Sequence, residues 1–395
     1  MRKSKVTLLF IFVSSSIILT FYITFGLDLQ LGLKILTGYD NGYFLTGSSR
    51  HLLYKTSRVA SHPTSQAFEQ FQEGFLWSEN LETLEPTMFD DEHIGVWRER
   101  AHIQQIVHLE PGCGRVTNGL ATFADGSKAC VRYGIDADQV QGEILSYHLA
   151  RMLGIYNLPP LVLSKPDPEK KQWMPVRESI ESLRWTTQAI VSLTEWVPNL
   201  TSVFIPTALR KGGEGLNPTN MCLIAFKNKT TTFLIEMMQW TDLILFDYLI
   251  ANFDRLASNL FNLQWDGRMM ERATSNLLKS RRGLVFIDNE AGLVHGYRVL
   301  NSWEQYHRSL LGTVCIFRKR TVQRIAELKH QRNVSSRLLA LYQAGEPLAL
   351  ELGFLSEEHL ETLQNRLDLL YHHIEQCKLR HAEPISHLPV NEYHV

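Results

Sequence analysis

The spacing of apolar and polar residues changes character three times along the chain. From Val6 to Leu27 the sequence is uncharged for 22 residues, with Arg2, Lys3 and Lys5 before it and Asp28 after it. At about 1.5 Å per residue a helix of that length crosses a hydrocarbon core of roughly 30 Å. The basic flank places residues 1–5 in the cytosol and everything after the run in the lumen. Ser14 to Ser16 soften the centre, which also suits a cleaved signal peptide, although no small-x-small cleavage site of the Ala-x-Ala kind follows. Either reading, a membrane anchor over 6–27 or a signal segment, sends the rest into the secretory pathway. Residues 28–92 then carry turn-formers and polar clusters ("GYDNGYFLTGSSRH", "SRVASHPTSQ") with weak periodicity, the pattern of a stem.

From Trp97 the pattern sharpens. "AHIQQIVHLEP", "GLATFADGSKACVRYG" and "QAIVSLTEW" read as strands, and Asp125-Gly126 signals a two-residue hairpin between two of them. In "VQGEILSYHLARMLGI", Leu145, Leu149, Met152 and Leu153 follow one helical face, with Glu143 off that stripe. Beyond residue 201 long helical stretches dominate: "FLIEMMQWTDLILFDYLIANF", "RTVQRIAELKHQ" and "EHLETLQNRLDLLYHHIEQC". The layout is α+β in two lobes, a strand-rich one over 93–200 and a mostly helical one over 201–395. A junction between lobes is where small ligands bind most often.

Composition narrows the class. With 395 residues, 44% hydrophobic, the chain buries a sizeable core; forty basic against forty-one acidic residues exclude a global field for nucleic acid. Cys113, Cys130, Cys222, Cys315 and Cys377 are too scattered for a zinc cage but allow one or two bridges and a leftover thiol. A Cys222–Cys315 bridge within the helical lobe is one expectation; Cys130 reads equally as a small buried hydrophobe. Three sequons, at Asn199, Asn228 and Asn333, agree with a luminal fate.

Two segments carry chemistry. Asp254 and Asn259 have the D-x-x-x-x-N spacing of a phosphotransferase loop, in which the Asp receives the acceptor hydroxyl's proton and the Asn ligates a metal ion. In "GLVFIDNEAGLVHGY" a short apolar strand delivers Asp288-Asn289-Glu290 at its end. An unpaired carboxylate there is costly for folding but suited to a divalent cation. Duller roles stand beside these: Glu143 as a solvated helix residue, Asp254 and Arg255 as a local surface ion pair, Asn259 as a cap or turn residue. "FRKR", Phe317 to Arg320, and "YHH", Tyr371 to His373, read as solvated surface.

The stretch from about Trp97 to Gln331 resembles the four-jointed family of Golgi kinases, through "LEPGCGR", "FADGSKACVRYGI", "QGEILSYHLARMLGI", "LPPLVLS", "FDYLIANFDRLASNLFNLQW" and "FIDNEAGL". More distantly, "GEILSYHLARML", "LFDYLIANFDR", "IDNEAG" and "CIFRKRT" are similar to segments of the secretory-pathway casein kinases. The resemblance implies an atypical two-lobed protein-kinase-like fold and a luminal or secreted enzyme. It further implies that ATP, with Mg²⁺ or Mn²⁺, phosphorylates serine or threonine in extracellular cadherin domains of the Fat and Dachsous type, in planar cell polarity and growth signalling.

Carried over by residue, the resemblance makes Asp254 the catalytic base, Asp288 a metal ligand and Asn259 a second metal ligand. Glu143 becomes the helix glutamate that pairs with the phosphate-binding cation. That cation is Arg132, where relatives carry lysine, with Lys128 as the alternative; Arg and Lys are not interchangeable at such a place. "GCGR" holds Gly112 and Gly114 where a glycine-rich phosphate loop belongs, short of a full G-x-G-x-x-G. A secreted kinase-like factor with little catalysis is the alternative function, and a lipid or sugar kinase would share the same residues.

Overall fold

The computed structural model describes residues 71–381, apart from 135, 211 and 222–228. The apolar run over 6–27 and the sequon at Asn228 lie outside these residues, and among the described residues no helix is long and apolar enough to cross a membrane.

The described chain opens with a two-stranded ribbon, β1 (Phe71–Gln72) and β2 (Leu76–Trp77). The sequence reading assigns this segment to a stem, yet Phe75, Leu76 and Trp77 are buried, and the Trp77 N–H donates to the Phe317 carbonyl at 2.9 Å. Three large apolar residues on a short ribbon have no helical or alternating period, so pattern alone does not register them.

After helix α1 (Asp91–Ile103) comes a five-stranded antiparallel sheet. It is built from β3 (Ile106–Pro111), β4 (Gly119–Phe123), β5 (Lys128–Arg132), then, beyond helix α2 (Ala137–Leu153), β6 (Leu161–Ser164) and β7 (Val191–Glu195), in the order β3-β4-β5-β7-β6. Alternation sets its faces: Ala121, Phe123, Ala129 and Val131 point into a core completed by Trp97, Trp173 and Trp185. Side chains 128, 130 and 132 therefore occupy the opposite face. The β4–β5 hairpin is present, but its loop is Ala124-Asp125-Gly126 instead of two residues. Gly126 takes φ +84 and donates to the Phe123 carbonyl, the type I turn with a left-handed third residue.

Helix α2 starts on the Asp136 side chain, which accepts from Gln139 N, and ends at Gly154 with φ +77. The predicted stripe is inside, but so is nearly everything else, because β6 and β7 cover one side of α2 and helices of the second half cover the others. Glu143, expected to be solvated unless functional, is buried in this helix.

The helical half holds β8 (Thr201–Phe204), helix α3 (Thr231–Ile250), helix α4 (Leu256–Asn262), β9 (Ala273–Lys279) and β10 (Leu284–Phe286). Helices α5 (Leu300–Leu311), α6 (Lys319–Gln331), α7 (Val334–Gly345) and α8 (Glu357–His381) follow. Helix α3 is buried at every residue from Met237 to Ile250 and forms the axis of the larger core. It carries Asp242 and Asp247 into that core, each met by an arginine: Asp242 Oδ2 by Arg318 Nε at 2.9 Å, and Asp247 by Arg255. "FRKR" is thus not a solvated charge run; Arg318 is buried between Asp242 and Glu85, and Lys319 pairs with Glu79.

Among the described residues, which exclude Cys222, two disulfides close, Cys113–Cys130 and Cys315–Cys377. The expected Cys222–Cys315 bridge is replaced by the second, since α8 lays Cys377 beside Cys315, and Cys130 is a bridge residue, not a free hydrophobe. His373 is also less exposed than "YHH" suggested: its Nε2 lies 2.8 Å from the Val314 carbonyl. Of the sequons, Asn199 is exposed in the loop between β7 and β8, whereas Asn333 is partly buried at the start of α7, its Nδ2 donating to Gln331 at 2.7 Å.

Candidate active site

Glu143, Asp288 and Arg132, singled out by sequence, converge where β5 and α2 meet the end of β10, beside the loop after α3 that carries Asp254. Arg132 is the last residue of β5, and its Nη1 lies 3.0 Å from Asp288 Oδ1 and 2.9 Å from Glu290 Oε2. Burial works against the guanidinium's charge, but Asp288, Glu143 and Glu290 outweigh it and hold the proton above arginine's ordinary range.

Glu143 keeps a long ion pair with Arg132 and takes its hydrogen bonds elsewhere. Its Oε2 is 3.9 Å from Arg132 Nε, and it accepts from the Asn289 backbone N–H at 2.6 Å and from Asn289 Nδ2 at 3.4 Å. Burial pushes its carboxyl up to about 7, against the pull of the Arg132 charge. Close approach of α2 to this loop needs Gly142, where a Cβ would stand 2.9 Å from the carbonyl oxygens of both Glu290 and Gly292.

Asp254 follows a tight exit from α3. Ala251 takes a left-handed φ of +53, and Asn252 Oδ1 accepts from the Asp254 N–H at 3.0 Å. Asp254 Oδ2 accepts from Asn276 Nδ2 at 3.0 Å. Burial, then the neighbouring Asp288 carboxylate, raise Asp254 above the usual carboxylate range. Asp288 itself sits at φ +56, and Asn276 at φ +57. Both are left-handed positions that Asp and Asn tolerate better than most residues.

Asn259 is buried in α4, and its Nδ2 donates to the Met269 carbonyl at 2.9 Å. The amide that touches Asp254 is that of Asn276, which sequence reasoning missed; its one signal is an Asn inside the strand-like run "ATSNLLK". Arg255 was also misread. It is fully buried, and it ties Asp247, the Asn276 carbonyl (3.0 Å), the Ile287 carbonyl (2.8 Å) and Asn289 Oδ1 into one unit. This hub joins the loop after α3 to the strand end that carries Asp288.

Of the two cation candidates only Arg132 reaches the site. Lys128 is exposed at the other end of β5, on the same face but about 13 Å away at roughly 3.3 Å per residue. Gly112 and Gly114 lie in the turn between β3 and β4. Gly112 N–H donates to Asn118 O at 3.2 Å, Gly114 has φ +91, and the Cys113–Cys130 bridge fastens the turn to β5. The turn also brings Arg115 onto Glu290, a contact absent from the sequence reading.

The donors here are oxygens, which suits a hard divalent cation held by one or two protein ligands together with phosphates. Among the described residues no three of these carboxyl groups close into an all-protein cage. Asp288 Oδ1 is buried and has no aligned hydrogen-bond donor among the described residues.

Comparison with known proteins identifies the family and the fold. Residues 92–380 match the family described as "Four-jointed box protein middle domain". The chain is 59% identical over 312 residues to "Four-jointed box protein 1" of Xiphophorus maculatus, covering 79% of this chain and 72% of the relative. It is 47% identical to the Homo sapiens protein of the same name, over 82% of this chain and 75% of that one. It is 30% identical to the Drosophila melanogaster "Extracellular serine/threonine protein kinase four-jointed", over 82% of this chain and 65% of that one. Among solved structures, the Golgi casein kinase with Mn/ADP bound superposes with TM-score 0.50 at 15% identity, over 73% of this chain and 77% of that one. Hydra Fam20 with sugar gives 0.50 at 14%, over 81% and 97%. The fold is therefore that of these kinases, and the chain belongs to the four-jointed box family.

Proposed function

We propose that this chain is a serine/threonine protein kinase of the secretory pathway, moving the γ-phosphoryl group of ATP onto hydroxyls of extracellular cadherin domains of the Fat and Dachsous type. Such a role belongs to planar cell polarity and cell–cell signalling, at the Golgi membrane or after release. The observation that carries the kinase reading is the 3.0 Å pair of Arg132 with Asp288, with Asp254 near enough for the Asp288 charge to raise its carboxyl.

In this reading Asp254 accepts the proton of the acceptor hydroxyl as its oxygen bonds to the γ-phosphorus. The bond from phosphorus to the β–γ bridging oxygen breaks, and ADP departs. The raised proton affinity of Asp254 suits that task, and Asn276 fixes the carboxylate's orientation. Asp288 would hold the divalent cation and Asn259, whose Nδ2 donates to the Met269 carbonyl, would be the second ligand. A bound Mg²⁺ or Mn²⁺ supplies charge neutralisation at the phosphates. Arg132 and Glu143 hold the strand, the helix and the Asp288 loop in register. The Mn/ADP seen in the Golgi casein kinase makes Mn²⁺ the first cation to try.

The test is co-expression of the full chain with a tandem cadherin-repeat fragment in secretory cells, with phosphosites read by mass spectrometry. Phosphate on serine or threonine with the native chain and none with Asp288→Ala supports the reading. Equal phosphorylation with both chains removes it.

A further inference from the structure

The turn between β3 and β4 carries a charged group that the kinase reading has not used. It runs from Gly112 to Asn118, opens with Gly112-Cys113-Gly114-Arg115 in place of a full G-x-G-x-x-G, and its charged side chain is Arg115. The turn is held on three sides. Cys113 is bonded to Cys130, two residues before Arg132 on the same face of β5. Asn118 Nδ2 donates to the Cys113 carbonyl at 3.2 Å, and Gly112 N–H donates to the Asn118 carbonyl at 3.2 Å. A turn so fastened delivers Arg115 to a defined place, where its Nη2 meets Glu290 Oε1.

The two arginines at this site differ in availability. Arg132 is 9% exposed and engaged by Asp288 and Glu290, so it is committed to holding the protein's own carboxylates. The Arg115 side chain is 42% exposed while its partner Glu290 is 5% exposed, so one side of that guanidinium pairs inward and the rest faces solvent. Its charge is felt at Asp254 as well as at Glu290, which puts it within electrostatic range of both ends of the site. A triphosphate entering among four carboxyl groups needs cationic partners beyond one buried arginine. A guanidinium offers planar, bidentate donors matched to phosphate oxygens.

We infer that Arg115 is a phosphate-binding residue of the nucleotide site: the disulfide-anchored turn presents its guanidinium to the phosphates of the incoming ATP, supplying the cation a fuller glycine-rich loop or a strand lysine would otherwise leave unnecessary. The inference rests on the kinase reading. It assigns Glu290 the role of holding Arg115 in place before the nucleotide arrives.

The experiment is calorimetric titration of a non-hydrolysable ATP analogue with Mn²⁺ into the full chain, purified in detergent, as native protein, Arg115→Ala and Arg115→Lys. Thermal melting of each is recorded without nucleotide. The expected result is a loss of affinity of about tenfold or more for Arg115→Ala and a smaller loss for Arg115→Lys, with melting temperatures of all three alike, as for removal of a charge-assisted contact. Native-like affinity in Arg115→Ala overturns the inference and leaves the kinase reading standing. A loss that Lys does not lessen, accompanied by a lower melting temperature, makes Arg115 a structural residue and also overturns it. No binding by the native chain removes the kinase reading and this inference with it.

Discussion

Arg132 Nη1 and Asp288 Oδ1 lie 3.0 Å apart, joining the last residue of a sheet strand to the first residue of the acidic triplet that follows β10. Through this contact the two halves of the molecule share one electrostatic centre, and its members respond differently to substitution.

Asp254→Asn keeps the shape of the side chain and removes the base. In the kinase reading kcat falls by about 10²–10⁴-fold while affinity for Mn²⁺ and nucleotide changes by no more than a few-fold. Because burial and Asp288 raise the Asp254 carboxyl, the acid limb of the native kcat/KM profile lies above the ordinary carboxylate range: activity is lost as pH falls through that raised value. Steady-state rates across pH check both points, and an unchanged kcat in Asp254→Asn contradicts them.

Glu143 makes stability depend on pH. Its carboxyl goes from an ordinary value of 4.5 to about 7 on folding, so the folded state holds the proton more tightly. That contribution is complete below the unfolded value and is lost as pH rises through about 7. Glu143→Gln carries no titrating proton. Its stability in chelator is predicted to decline less than the native protein's between about pH 5 and 8, by on the order of 2 kcal/mol. Denaturant unfolding at several pH values measures the slopes, and identical slopes refute the assignment.

Arg255→Met leaves Asp247 buried without its partner and strips donors from the Asn276 and Ile287 carbonyls. Burial already pushes the Asp247 carboxyl up to about 6 against the Arg255 charge, so the pair is costly to break from one side. The expected loss is about 3–5 kcal/mol, and adding Asp247→Leu restores part of it. A urea series on single and double variants decides; additive losses mean that the pair is not coupled.

Cys377→Ala opens a bridge spanning 62 positions, for an expected cost of about 2–4 kcal/mol. Non-reducing peptide mapping should find Cys113 with Cys130 and Cys315 with Cys377. A Cys222–Cys315 peptide would contradict the pairing.

Asp254 and Asp288 stood out against their local pattern, one a carboxylate at fixed spacing from an amide inside an apolar run and the other at a strand end. Arg132 and Glu143, by contrast, were assigned only through the family resemblance. The neighbours of these four were not legible. Asn276, Arg255 and Arg115 act through contacts made only when segments distant in sequence come together, and nothing in their local spacing separates them from ordinary polar residues. Lys128 shows the complementary error, since a lysine on the correct face of the correct strand is still a full strand length from the site. The helix around Glu143 was recognised from its stripe, but coverage on every side is a property of the assembled fold. The ribbon at Trp77 lacks a period altogether.

The most direct test of the account is transfer of labelled γ-phosphate from ATP with Mn²⁺ to a purified cadherin-repeat fragment by the full chain, beside Asp254→Asn and Asp288→Ala. Incorporation by the native chain that falls at least a hundredfold in both variants is the predicted result. Incorporation that survives either substitution, or none by a native chain that binds Mn²⁺ and nucleotide, contradicts it.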